Sequence, residues 1–205
     1  MGATRGLIYL HGNGMIHGDL KGVCFFHRWS CSAVLTSLHV KANILIDGTG
    51  NARLADFGLL TIMSDPANLI PSTSYAPGGT IRWMSPELIA ADGSGSKKSH
   101  PTKSSDCYAL GMVIYETIGG NIPFYEYADM VAPVRVLLGE IPSRGAMFSD
   151  DLWKLMELCW ASVPEDRPDI RDVLQRLRVL SGLTGPPTPE PVQSDFFGNL
   201  AESLW

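Results

Sequence analysis

His17-Gly18-Asp19-Leu20-Lys21, Asn43-Ile44-Leu45-Ile46 and Ala55-Asp56-Phe57-Gly58 follow one another in the first third of the chain and decide how the rest is read. In order they supply a carboxylate, an amide and a second carboxylate. Phosphoryl transfer from a nucleotide needs one acceptor for the attacking hydroxyl's proton and oxygen ligands that hold Mg²⁺ against the phosphates. Asp19 suits the first task, Asn43 and Asp56 the second. Each fragment also has a plainer reading. An isolated Asp-Phe-Gly is ordinarily a turn, His17 a core histidine and Lys21 a solvated lysine. Their order, with Asp56 soon after Asn43 and Ser85-Pro86-Glu87 further on, argues against coincidence.

Composition narrows the class. The chain has 205 residues, 45% hydrophobic and 18% charged, with a net charge of −5. That is one domain with enough apolar material for a core. An acidic balance without a basic stripe argues against nucleic-acid partners. Cys24, Cys31, Cys107 and Cys159 have neither CxxC spacing nor histidines at ligand intervals, so they read as reduced thiols of an intracellular, cytoplasmic protein. No apolar run reaches the ~18 residues of a membrane span. No secretory leader opens the chain, and Gly6 stands where a myristoylation start wants Ser or Thr.

Along the chain, residues 3–13 read as the end of a helix broken by Gly12 and Gly14. Asn43–Asp47 and Ala52–Ala55 are short strand candidates around the turn Gly48-Thr49-Gly50-Asn51. Pro66–Gly79 reads as a mobile loop, and Asp92–Ser105 as a second polar stretch. Tyr108–Ile118 is apolar enough for a helix buried on most sides. Leu152, Leu155, Met156 and Cys159 recur at helical spacing, as do Ile170, Val173, Leu174, Leu177 and Leu180, with Gly182 as a stop. Residues 183–205 are proline-rich and read as a disordered tail. Phe196, Phe197 and Trp205 are either its frayed end or a docking motif.

Together these motifs resemble the C-terminal lobe of a protein kinase, nearest the tyrosine-kinase-like Ser/Thr group, over residues 1–182. The resemblance implies an α+β fold, mainly helical, with a small β hairpin carrying Asn43 and Asp56. It makes Asp19 the catalytic base and Lys21 the lysine that steadies the transferring phosphate. Asn43 and Asp56 become the Mg²⁺ ligands, so Lys21, Asn43 and Asp56 face the nucleotide. Gly79-Thr80-Ile81-Arg82-Trp83-Met84-Ser85-Pro86-Glu87 resembles the close of the activation segment, where Thr80 touches the catalytic loop and favours Ser/Thr targets. Asp106 is expected to anchor the backbone of that loop, and Arg167 to pair with Glu87. ATP and Mg²⁺ are the implied cofactors, and a protein hydroxyl the implied substrate. A noncatalytic, pseudokinase-like interaction module is the alternative.

The sequence departs from the pattern in three places. Gly18 replaces the arginine that in many kinases grips a phosphorylated activation loop, which argues against that mode of regulation. No Gly-x-Gly-x-x-Gly with its strand lysine precedes His17, so the chain reads as a fragment without the N-terminal lobe, impaired in activity. The pattern sets the amide five positions after the aspartate, and Asn43 stands much further than that from Asp19. Removing Val23–Lys41 restores the spacing. That segment lacks Asp, Glu, Gly, Pro and Asn. A Val codon opens with GT and a Lys codon can close with AG, so it reads as a retained intron, with a surface insertion as the alternative. Groups that must be placed to within about an ångström tolerate an insertion between them poorly. The segment is therefore expected to lie outside the lobe, loosely ordered.

Overall fold

The computed structural model describes residues 1–22, 24–25, 43–56, 61–62, 80–94 and 100–183. Its centre is a helix, α3 (Lys103–Gly119), buried without a break from Ser105 to Tyr115. A capping box starts it: Ser105 N–H donates to Thr102 Oγ1 at 3.1 Å, and Thr102 N–H donates to Ser105 Oγ at 2.8 Å. Gly120, at φ 73°, ends it in the left-handed region that glycine adopts without strain. Ile118 is 42% exposed, so the buried stretch stops earlier than its apolar sequence suggests.

Helix α1 (Gly2–Gly12) buries Leu7 and Leu10, and Asn13 closes it by donating from Nδ2 to Tyr9 O at 2.8 Å. Helix α2 (Pro86–Ser94) opens on the acidic Glu87. A short helix, α4 (Ala132–Leu137), follows α3. Helix α5 (Asp150–Cys159) is capped by Ser149 and carries two acids in its first turn, which suit the positive end of the helix dipole. Its buried residues are Trp153, Leu155, Met156 and Cys159, the expected stripe with Leu152 at the margin. The last helix, α6 (Ile170–Leu180), is capped by Asp169 and packs on α1 and α5. It buries Ile170 and Val173, while Leu180 stays 40% exposed. Tyr115 stacks on Phe148 at 5.2 Å and Trp153 meets Trp160 edge-on at 5.6 Å, filling the junction of α3 and α5. No described helix is long and apolar enough to cross a membrane.

Five short strands lie among the described residues, in a two-stranded and a three-stranded sheet. β3 (Ile44–Ile46) and β4 (Ala52–Leu54) pair antiparallel with Leu45 opposite Arg53, which is the expected hairpin. Asp47 builds its turn, accepting from Thr49 N at 3.0 Å, Thr49 Oγ1 at 2.6 Å and Asn51 N at 2.9 Å. The Thr49 hydroxyl first, then the Asn51 amide, hold that carboxyl well below the usual range. β1 (Met15–Ile16) pairs antiparallel with β5 (Thr61–Ile62).

Two expectations need correction. Asp92–Ser94 continue α2 and Lys103–Ser105 start α3, so the polar stretch shortens from both ends. Its Ser and Gly content misled, because capping residues are polar too. The insertion also adds a strand: β2 (Cys24–Phe25) lies parallel to β3, with Cys24 opposite Leu45. The rest of Val23–Lys41, the expected loop Pro66–Gly79 and the expected tail beyond Leu183 lie outside the described residues.

Candidate active site

The loop from Ile16 to Gly22 is held from below by one carboxylate. Asp106, in the first turn of α3, is 1% exposed. Its Oδ2 accepts His17 N–H at 3.0 Å and its Oδ1 accepts Gly18 N–H at 2.9 Å. Two backbone amides that no strand serves, one buried and one half-buried, are thereby satisfied. His11, from the last turn of α1, meets Oδ2 of the same carboxylate through Nε2 at 2.8 Å. Asp106 therefore anchors the loop to α3, as the resemblance implied, and through His11 it also ties in α1. His11 was not singled out in the sequence, and a lone histidine at a helix end carries no signal of its own. Gly18 has φ 79°, a conformation that strains residues with a side chain, so glycine suits this turn.

Above this anchor, the expected loop residues meet. Lys21 Nζ donates to Asp19 Oδ2 at 2.9 Å and to Thr80 Oγ1 at 2.6 Å. Asn43 Nδ2 donates to Asp19 O and, at 3.1 Å, to Asp19 Oδ2. All four residues are at most 9% exposed, so these charge-assisted bonds form in a poorly solvated place. Lys21 and Asn43 both engage Oδ2.

The long separation in sequence does not part Asp19 from Asn43. Asn43 N–H donates to Lys21 O at 3.0 Å, so the chain leaves and re-enters the loop at neighbouring points. A segment closed at its base costs mainly loop entropy, which grows slowly with length. The expectation that an insertion here disrupts the pairing is therefore corrected.

The β3–β4 hairpin places the second carboxylate. Ala55 N–H donates to Asn43 O at 2.8 Å, which carries the ladder one step past β4 and brings the chain entering Asp56 beside Asn43. Asp56 is exposed and has φ 58°, a sparsely populated conformation for a residue with a side chain, of the kind that collects at functional sites. Phe57 and Gly58 lie outside the described residues.

Asn43 gives a direct test of whether a cation suits this place. The residue is 0% exposed, and its Oδ1 accepts no hydrogen bond among the described residues. A buried carbonyl oxygen without a donor costs on the order of 1–3 kcal/mol. With Nδ2 committed to Asp19, that oxygen is left for a ligand, and a hard divalent cation takes such oxygens. The donor set therefore fits Mg²⁺.

The strand of chain bearing Thr80 is fastened by Arg82, which sequence reading did not single out. Arg82 is 5% exposed. Nη1 donates to Pro123 O at 2.9 Å and Phe124 O at 2.6 Å, Nη2 to Tyr127 O at 2.6 Å, and Nε to Asp129 Oδ1 at 2.9 Å. Phe124, with φ 55°, would be costly without that support. Next to it, Trp83 Nε1 donates to Glu116 Oε2 at 3.1 Å, while burial pushes the Glu116 carboxyl up to about 7.

Arg167 and Glu87 pair as expected. Nη1 and Nη2 of the arginine donate to Oε1 and Oε2 of the carboxylate at 2.7 and 2.8 Å. Burial raises the Glu87 carboxyl, and the bonds and charge of Arg167 more than reverse this, leaving it below its ordinary value.

Comparison with known proteins follows the same lines. The family model for the protein kinase domain matches residues 40–177, opening inside the segment Val23–Lys41. Mitogen-activated protein kinase kinase kinase A of Dictyostelium discoideum is 31% identical over 83% of this chain and 15% of its own length. Receptor-interacting serine/threonine-protein kinase 3 of Rattus norvegicus is 32% identical over 74% of this chain and 32% of its own. Serine/threonine-protein kinase TAO1-B of Xenopus laevis is 29% identical over 87% of this chain and 15% of its own. The chain thus spans a third or less of these curated relatives.

Proposed function

This chain belongs to the protein kinase family, and on that premise we propose that it carries the catalytic-loop half of a Ser/Thr protein kinase, acting on protein hydroxyls with ATP as phosphoryl donor. The observation that carries the reading is the set of bonds on Asp19: Lys21 and Asn43 share its Oδ2, and Lys21 also holds Thr80. Asp19 orients the target hydroxyl and accepts its proton on the carboxylate oxygen that takes neither of those bonds. Lys21 Nζ, already bridging Asp19 and Thr80, offers its positive charge to the transferring phosphoryl group. Thr80 sets the depth at which a short Ser or Thr side chain meets Asp19. Asn43 Oδ1 and the Asp56 carboxylate would hold Mg²⁺, which when bound neutralises charge on the phosphate oxygens. Anchoring by Asp106 keeps the loop from reorganising during the step, where a small misplacement is costly. On the same reading the protein works inside the cell, in the cytoplasm.

The test joins the chain to an N-terminal lobe that supplies a glycine-rich loop and its lysine. Transfer of labelled γ-phosphate to a generic Ser/Thr substrate is expected. Asp19→Asn should keep nucleotide affinity and lower turnover, because the phosphate site remains while proton acceptance is lost. Asp56→Asn should weaken Mg²⁺–nucleotide binding itself. Wild-type rates in both variants would refute the roles assigned.

A further inference from the structure

We propose that the chain's own last segment, Asp195–Trp205, docks in the groove between α5 and α6. The groove encloses about 640 Å³, a volume in the range of ligand-binding clefts. Val179 and Leu180 give it an apolar wall with the buried Leu155 at its floor, and Lys154, Arg176, Asp151, Asp172 and Gln175 complete the lining. Val179 is 63% exposed, and Leu183, just past the end of α6, is 54% exposed. Val179 and Leu180 thus present apolar surface at one end of α6, where no described element covers Val179.

The segment matches this place in two respects. Phe196, Leu200 and Leu204 are spaced four apart, and so are Phe197, Ala201 and Trp205, so a helix would gather them on one face. Gly198 weakens the free helix by about 1 kcal/mol, so the fold forms on the groove rather than before it.

Charge neither adds to the fit nor opposes it. Residues 184–205 contain Glu190, Asp195 and Glu202 and no Lys or Arg. The groove lining sets Lys154 and Arg176 against Asp151 and Asp172. The lining charges balance, so the fit rests on apolar contact and on reach.

Reach agrees as well. The tail leaves the described structure at Leu183, beside Val179 and Leu180 on the groove wall. Twelve residues, four of them proline, separate Leu183 from Phe196. Extended at about 3.1 Å per residue they cover roughly 37 Å, twice the ~16 Å length of an 11-residue helix. The segment can fold back along α6, and a linker of this length holds it at about millimolar effective concentration.

Hydrogen exchange read by mass spectrometry on the full chain tests the proposal. Even a weak contact of ~0.1 mM affinity, at millimolar effective concentration, slows exchange about tenfold over 195–205. That protection should persist on dilution and vanish in Val179→Asp and in the double variant Phe196→Ser/Phe197→Ser. Exchange within α3 should stay unchanged in both, which shows that the lobe is intact. Absence of protection in the unmodified chain would overturn the proposal. So would protection that survives Val179→Asp but is lost in Val134→Asp, which puts the segment on the exposed face of α4. Protection that fades on dilution would assign the groove to the tail of a second copy and overturn docking within one chain.

Discussion

Replacing Arg167 by alanine should cost this lobe more than any other single loss of a polar side chain in the helical half. The guanidinium side chain is 0% exposed. It donates twice to Glu87, to Ser104 O at 3.0 Å and to Ala161 O at 2.9 Å, and lies 5.1 Å over the Tyr108 ring. Alanine leaves a mostly buried carboxylate and two carbonyls without these donors. Breaking one side of a buried pair costs about 3–5 kcal/mol. Domains of this kind hold only about 5–15 kcal/mol in all. With ~2–4 °C lost per kcal/mol in a chain of this size, Tm should fall by roughly 6–20 °C. Lysine cannot reproduce the two-pronged bond or reach both carbonyls, so Arg167→Lys should recover less than half of the loss. Glu87→Gln keeps an acceptor and should cost less than Arg167→Ala. Urea unfolding followed by tryptophan fluorescence gives each value, and Glu87→Gln/Arg167→Ala completes a double-mutant cycle. The carboxyl is depressed, so the pair's contribution is fully present above the ordinary carboxylate range and is lost as pH falls through the native pKa. A loss under about 1 kcal/mol for Arg167→Ala, or full rescue by lysine, would refute the reasoning.

Glu116 should act in the opposite sense. Its carboxyl is raised to about 7, so its native form holds a proton that the unfolded chain has released. Stability should therefore fall by on the order of 2–3 kcal/mol as pH rises from about 4.5 to 7. Glu116→Gln, which keeps an acceptor for Trp83 Nε1, should remove this slope and raise Tm at pH 8; an unchanged slope would show the carboxyl to be solvated. The 205-residue chain alone should bind Mg²⁺–ATP weakly, because its sequence holds no glycine-rich loop with a strand lysine; micromolar affinity by calorimetry would contradict this. Deleting Val23–Lys41 should raise Tm and soluble yield. The Lys21–Asn43 neck remains, a shorter loop saves roughly 1–2 kcal/mol of closure entropy, and the strand lost is two residues long. A deletion that unfolds the lobe would make the segment part of the core.

Much of the lobe was written locally. The stripes Leu155-Met156-Cys159 and Ile170-Val173, the Asp47 turn and the apolar run of α3 each encode an element through spacing and side-chain chemistry alone. The motif order was enough to pick out Asp19, Lys21, Asn43, Asp56 and Thr80 as candidates. Sequence could not say that Asn43 still meets Asp19 across the inserted segment, since closure depends on where the chain re-enters the loop, through Lys21 O. Nor could it pick out His11 beside Asp106 or Arg82 on the carbonyls of 123–127. Periodicity reports which face of an element avoids water. A buried polar contact between residues 41 or 95 positions apart leaves no period, because its partner is chosen by the packing of other elements. Asn43 shows the division most clearly: its residue type marks it as a ligand, but only the fold commits Nδ2 to Asp19 and leaves Oδ1 without a donor among the described residues.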